Sequence, residues 1–217
     1  MSIVAAPAYA GTTASTLAKA SKYPFAGYIT PPATATSVAA TVTLPSFACT
    51  KKMTAVAAIA TVYDPTGAKF SGAEVYLACS RRKETLGALA DIDNAFTILN
   101  VTMASGDTVA LSATCGPSGI SITVDDETTS SIGTDSSSSA ETCTQAEAGD
   151  DGVAKGTGSA VVPLPPFGAL DYMDVMVNGS AIGSSSPGAA NYNEGKKNVI
   201  TTGALTGGNA FTTTKES

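Results

Sequence analysis

The sequence predicts an all-β sandwich in a single globular domain, on four observations. Helix formers are scarce: Leu, Lys, Glu and Arg are few, and Gln145 is the only glutamine. Thr and Val, which suit a pleated surface, are plentiful. Short apolar or alternating runs recur along the chain, each stopped by turn residues. Finally, 217 residues with 43% hydrophobic content can bury one two-sheet core.

Residues 1–22 are rich in Ala, Ser and Thr and are expected to form a flexible segment ahead of a domain spanning 23–217. Val38 to Leu44 alternates and stops at Pro45. Val56 to Tyr63 is apolar and ends at the turn tetrapeptide Asp64-Pro65-Thr66-Gly67. Ala73 to Cys79 reads as a strand. Lys83 to Asp91 is the one stretch that reads as a short helix. Ala95 to Met103 leads to the turn Ser105-Gly106-Asp107, and Thr108 to Thr114 sets Val109, Leu111 and Ala113 on one face. Gly119 to Val124 follows. Residues 127–142 are Ser- and Thr-rich, either loop or polar strand. The glycines at 149, 152, 156 and 158 make 146–160 read as loop. Ala169 to Val177 closes on Asn178-Gly179, a hairpin signal. Val199 to Thr202 and Ala210 to Thr214 complete the set.

Charge excludes several functions. The net charge is −6 with no His, and only 14% of residues are charged, against roughly 25% in an average domain. Nucleic acid is not an expected partner, because phosphate binding needs a Lys/Arg field. The basic run Arg81-Arg82-Lys83 reads as a solvated loop. Catalysis by Ser-His-Asp or Cys-His is ruled out by the missing His. No cofactor or metal is expected. Asp125-Asp126-Glu127 and Asp150-Asp151 lack the spacing of a calcium loop and read as solvated turn acids. Low charge at acid balance suits a protein working in acid, with few ion pairs to lose. No apolar run is long enough to span a membrane.

Cys49, Cys79, Cys115 and Cys143 contain no Cys-x-x-Cys pair. They form two disulfides or four buried thiols. Of the three disulfide pairings, Cys49–Cys79 with Cys115–Cys143 is preferred. Each bridge would close a loop of about 30 residues, worth about 3 kcal/mol. Disulfides imply an oxidising compartment and hence secretion. Asn100-Val101-Thr102 and Asn178-Gly179-Ser180 are glycosylation sequons compatible with that location. Ala8-Tyr9-Ala10 has the small-x-small look of a signal cleavage site, without the basic and long apolar regions before it.

Several segments together resemble the glutamic peptidases, or eqolisins. Phe25-Ala26-Gly27-Tyr28 is similar to that family's Trp-Ala-Gly-Tyr, and Ser37 to Pro45 to its Ser-Val-Ser-Ala-Thr-x-Thr-Val-Pro strand. Pro165-Pro166-Phe167-Gly168 with Met173 to Gly179 resembles its late Phe-Gly-x-Val-x-Phe-Thr-Asp stretch. Thr201 to Thr214 resembles its last strand. The resemblance implies two large curved antiparallel sheets packed face to face, a concanavalin A-like sandwich. It also implies a concave groove that takes a polypeptide. In that family a Glu acts as base on a water and then as acid to the leaving amine, while a Gln holds the water and steadies the oxyanion.

Gln145-Ala146-Glu147 resembles the family's Asn-Ala-Glu, so Glu147 is the candidate catalytic residue. The family follows this with an apolar strand, whereas Ala148 to Gly152 here reads as a turn and would leave Glu147 solvated. The Gln falls on Gly72 or Ala73, neither of which can donate from a side chain. A shift of one or two residues would bring Glu74 opposite Glu147 as a proton-sharing partner. The strand's other face, or its edge, is the more expected place for it. The family's Trp-rich lining has no counterpart, as the chain contains no Trp. The expectation is therefore a secreted, divergent relative whose groove has degenerated into a binding or structural surface. The alternative is an active acid endopeptidase with Glu147 as general base. Self-assembly through a Thr- and Ala-rich sheet edge stays open.

Overall fold

The computed structural model describes residues 24–153, 161–194 and 197–216. The N-terminal segment 1–22, its small-x-small tripeptide and glycines 156 and 158 lie outside the described residues. The strands run β1 (Phe25–Ile29), β2 (Ser37–Thr43), β3 (Thr54–Tyr63), β4 (Phe70–Ser80), β5 (Lys83–Ile92), β6 (Ala95–Leu99), β7 (Thr108–Gly116) and β8 (Gly119–Asp126). They continue as β9 (Ser131–Ser137), β10 (Gln145–Asp151), β11 (Ala169–Val177), β12 (Ser180–Ala181), β13 (Gly188–Ala190), β14 (Tyr192–Glu194), β15 (Lys197–Thr202) and β16 (Phe211–Lys215). One sheet has the order β13-β1-β10-β3-β4-β5-β6, and the other β14-β15-β16-β11-β2-β7-β8-β9 with β12 beside β11. Every pairing is antiparallel.

The core lies between the sheets. Alternation builds it: Val38, Ala40 and Val42 of β2 and Val109, Leu111 and Ala113 of β7 are fully buried, and they meet the inward positions of β3 and β4. Removing these side chains from water is the main favourable term for a chain with so few charges. Strand β3 is buried at all ten positions. Its outward residues Ala57, Ile59 and Tyr63 pack with Phe25 and Ile29 of β1 in a second, smaller cluster. A central strand covered on both faces reads as the continuous apolar run seen in the sequence.

Two sequence expectations fail here, and one open alternative is resolved. Lys83 to Asp91 is a strand, not a helix. Leu86 and Leu89 mimic helical spacing, but Ala88 and Ala90 are the buried inward positions and the burial period is two. Two tight turns enforce this, at Arg81-Arg82 and at Asp93-Asn94, all four with positive φ. The Ser/Thr-rich stretch resolves into the polar edge strand β9 and flanking loops. Most consequentially, the start of the 146–160 stretch is not loop but belongs to the buried strand β10, inside its sheet between β1 and β3.

Gly149 explains that last reversal. It faces Gly27 across the β1–β10 ladder. Gly27 has φ 151° and Gly149 φ 156°. A Cβ on Gly149 would collide with the Ala26 carbonyl oxygen and lie 2.7 Å from Gly27 Cα. Glycine here permits close approach of two strands rather than a turn. Gly149→Ala is expected to cost about 2–3 kcal/mol from strain and overpacking, measured as a lower urea midpoint with an unchanged slope.

Cys49 is bonded to Cys79 and Cys115 to Cys143, the sequential pairing. Asp126 is buried and accepts from the backbone N–H groups of Thr128 and Thr129, so it caps a turn rather than sitting in water. Among the described residues no helix is long and apolar enough to cross a membrane.

Candidate functional site

The face of the β10-containing sheet turned away from the core carries the candidate site. Because strand side chains alternate, Gln145, Glu147, Gly149 and Asp151 of β10 share this face, and Ala146, Ala148 and Asp150 point inward. Cross-strand register then builds rows. One row runs Ile29, Glu147, Thr61, Gly72, Asp91. The next runs Gly27, Gly149, Ile59, Glu74, Leu89. The third holds Phe25, Asp151, Ala57, Tyr76 and Gly87. Four carboxyls are thereby gathered on one sheet face.

Glu147 is not a solvated loop acid: it is fully buried. Its Oε1 accepts the hydroxyl proton of Tyr63. Its Oε2 is buried without a partner among the described residues. Glu74 does not lie on the far face of β4. It leans with Glu147 and Asp151 over Thr61 and Ile59 into a cavity of ≈ 10 Å³. That is about the volume one water molecule needs. Phe70 and Tyr63 wall the cavity. Both oxygens of Asp91 are also buried without a partner among the described residues. No three ligating side chains among the described residues converge closely enough to hold a metal ion.

Burial sets the electrostatics. Desolvation pushes Glu147 up to about 8, against the Tyr63 hydrogen bond, which favours its ionised form. Glu74 is also pushed up to about 8, by burial first and then by the charges of Asp91 and Glu147. Burial, then Glu147 and Glu74, hold Asp151 well above the usual carboxylate range. Burial lifts Asp91 to about 7. Tyr63 is raised in turn by burial and by Glu147. Such a grouping of perturbed acids in a recess makes this face the candidate site.

A cleft of ≈ 440 Å³ opens beside the cavity and shares Phe70, Glu74 and Asp151 with it. It follows β3 and β4 past Ala57, Tyr76 and Ala78 to Met53. Its aromatic surfaces are Phe70, Tyr76 and Phe96 rather than tryptophans. The Tyr76 ring lies over Gly87, where a Cβ would strike it.

Gly72, one of the two positions on which the resemblance places the Gln, lies in the Glu147 row, while Ala73 is buried on the core face. A Cβ on Gly72 would collide with Thr61 Oγ1 and lie 2.9 Å from the Ala60 carbonyl oxygen. The Thr61 hydroxyl thus stands where the missing side chain would begin. Gln145 shares the face with Glu147, but its amide donates to the Thr30 carbonyl oxygen at 2.8 Å. The pair Asp150-Asp151, read as turn acids, lies in β10 with the two side chains on opposite faces, Asp150 fully buried and Asp151 half-buried. Asp150 points into the sandwich and accepts from Tyr172 at 2.6 Å and Thr213 at 2.7 Å. Asn178 holds its turn by accepting from the Thr36 and Ser37 backbone and donating to the Thr34 carbonyl oxygen. Asn100 is exposed at the end of β6. Asp91, Tyr63 and Thr61 carry no signal in the sequence, and Asp151 reads there only as a turn acid. The two-residue spacing of Glu147, Gly149 and Asp151 was the available signal.

No family model matches this chain, and no curated protein matches it. Solved structures do share its fold. Scytalido-glutamic peptidase with a transition state analog inhibitor superposes with a TM-score of 0.75 and 17% identity, over 89% of this chain and 98% of that one. SCP-B, a member of the eqolisin family of peptidases in a complex with the tripeptide Ala-Ile-His, gives 0.72 and 18% over the same shares. Aspergilloglutamic peptidase from Aspergillus niger gives 0.65 and 17%, over 75% and 99%. The chain has the β-sandwich fold of the glutamic peptidases at low sequence identity, as the sequence resemblance implied.

Proposed function

We propose that this chain is a divergent glutamic-type peptidase that hydrolyses peptide bonds with a carboxyl pair, Glu147 and Glu74, in place of a Glu–Gln pair. One observation carries the reading: the unpartnered Oε2 of buried Glu147 at a water-sized cavity that Glu74 also lines. A buried carboxyl without a partner is costly, and a merely structural groove has no reason to keep it beside two more acids. Fold similarity to peptidases that bind peptide-like inhibitors supports a peptide in the adjoining cleft.

The chemistry follows from the two groups. With one proton shared between them, ionised Glu147 takes a proton from the water as its oxygen attacks the scissile carbonyl carbon. Protonated Glu74 donates to the oxygen on which negative charge develops, helped by the Thr61 hydroxyl. Glu147 then passes its proton to the leaving amine as the C–N bond breaks. Tyr63 holds Glu147 in place and favours its ionised form. Two disulfides support an oxidising, extracellular setting.

Incubation with an unfolded protein substrate from about pH 3 to 8 tests this. Cleavage is expected in the wild-type chain and a loss of about a thousandfold in Glu147→Gln. A second reading is a peptide-binding groove without catalysis. Gly72, sterically closed to any side chain, favours it. Absence of cleavage at every pH would decide for that reading.

A further inference from the structure

The sequence holds one basic run, Arg81-Arg82-Lys83, which the site chemistry leaves unused. The fold adds Lys51 and Lys52 to it. The Cys49–Cys79 disulfide and a 2.9 Å hydrogen bond from Arg82 N–H to the Thr50 carbonyl oxygen bring the two segments to one tip of the sheet. Five of the 12 basic residues of a chain with net charge −6 are thus concentrated there. All five are exposed, and none forms an ion pair with a described residue. Arg81 and Arg82 take φ of 52° and 69°, in a turn that Asn-Gly would fill without strain. Met53, next to Lys52, forms the far end of the cleft that begins at Glu74.

The cleft is therefore polarised, with acids at one end and cations at the other. It follows β4, and Ser80 lies six residues beyond Glu74, or about 20 Å along the strand. An extended polypeptide lying in it covers the same span with six residues.

We infer that the cleft takes an extended peptide whose apolar residue sits beside Glu74 and whose acidic residues, five to seven positions away, engage the Lys51-Lys52 and Arg81-Lys83 tip. This rests on the peptidase reading for the occupant and adds its sequence class. Apolar side chains fit the wall of Ala57, Tyr76, Leu89 and Phe96, and carboxylates complement the unpaired cations.

The test uses synthetic peptides with a central apolar segment and three Glu, or three Gln, placed five to seven residues to either side of a Phe. Binding is read by fluorescence anisotropy at pH 6 and about 50 mM salt, on the full wild-type chain and on Glu147→Gln. One of the Glu peptides is expected to bind at least tenfold more tightly than its Gln counterpart. That ratio should fall below threefold in Arg81→Asn/Arg82→Gly, which installs a favoured turn, and likewise in Lys51→Ser/Lys52→Ser. Where the wild-type chain cleaves, the same ratio is read in kcat/KM. Equal binding of Glu and Gln peptides, a preference that survives both tip variants, or no binding of either peptide would overturn the inference. Cleavage without the preference rejects the tip and leaves the peptidase standing. The preference without cleavage does the reverse.

Discussion

Thermal unfolding is expected to find this chain most stable near pH 4 and steadily less stable as the pH rises to 8. Glu147, Glu74, Asp91 and Asp150 all titrate higher in the fold than in the unfolded chain, near 7 or 8. Between about pH 4 and those values the folded state binds more protons than the unfolded one, so stability falls as the pH climbs. Above about 8 the curve flattens. Asp150 gives the size of a single contribution. Burial raises it from 3.8 to about 7, against hydrogen bonds from Tyr172 and Thr213. About three units at ~1.36 kcal/mol each is on the order of 4 kcal/mol. For a domain of this length that corresponds to about 10 °C in Tm. Asp150→Asn keeps the shape and hydrogen-bonding capacity of the neutral acid. It is expected to flatten the curve while leaving Tm at pH 4 within a few degrees. A Tm that stays level or rises from pH 4 to 8 would refute the neutral, protonated state of these acids.

The same carboxyls mark where sequence reading stops. β2, β7 and β11 are legible because their inward positions alternate with polar ones and their turns carry Pro, Gly or Asn-Gly. β10 is not, because Gly149-Asp150-Asp151-Gly152 is turn chemistry by any local rule. What makes it a strand is remote. Gly27 meets Gly149 from 122 positions away, and Tyr172 and Thr213 satisfy Asp150 from the opposite sheet, at separations of 22 and 63. That neither Gly72 nor Ala73 can supply the Gln of the glutamic peptidases was visible in the sequence. That the Thr61 hydroxyl closes the gap, and that Glu74 turns to the Glu147 side, depends on the β10–β3–β4 register. A one-residue slip of β4 would put Glu74 in the core.

Glu74→Gln is expected to keep peptide hydrolysis and shift its pH profile toward acid. In the wild-type chain the rising limb reports formation of one ionised carboxyl in a pair whose members oppose each other's ionisation. Burial of both groups, joined at Glu74 by the charges of Asp91 and Glu147, places the limb well above the ordinary carboxylate range, toward about 8. Replacing Glu74 by an amide removes the second charge and leaves a permanent N–H donor facing the same cavity. Glu147 then ionises more readily, and the limb should move down by about one pH unit, with kcat within roughly tenfold of wild type. Glu147→Gln should instead be inactive at every pH, and the double variant no worse than that single one, because residues acting as a unit are not additive. The direction of the shift separates two roles for Glu74. If it only packs the cavity wall, Glu74→Gln lowers the rate without moving the limb, and the shared proton is excluded. If it shares the proton, the limb moves, and the Glu–Glu site is the Glu–Gln arrangement with its donor made titratable. Its working range would then be displaced upward from the acid one by the same burial that makes the fold most stable near pH 4.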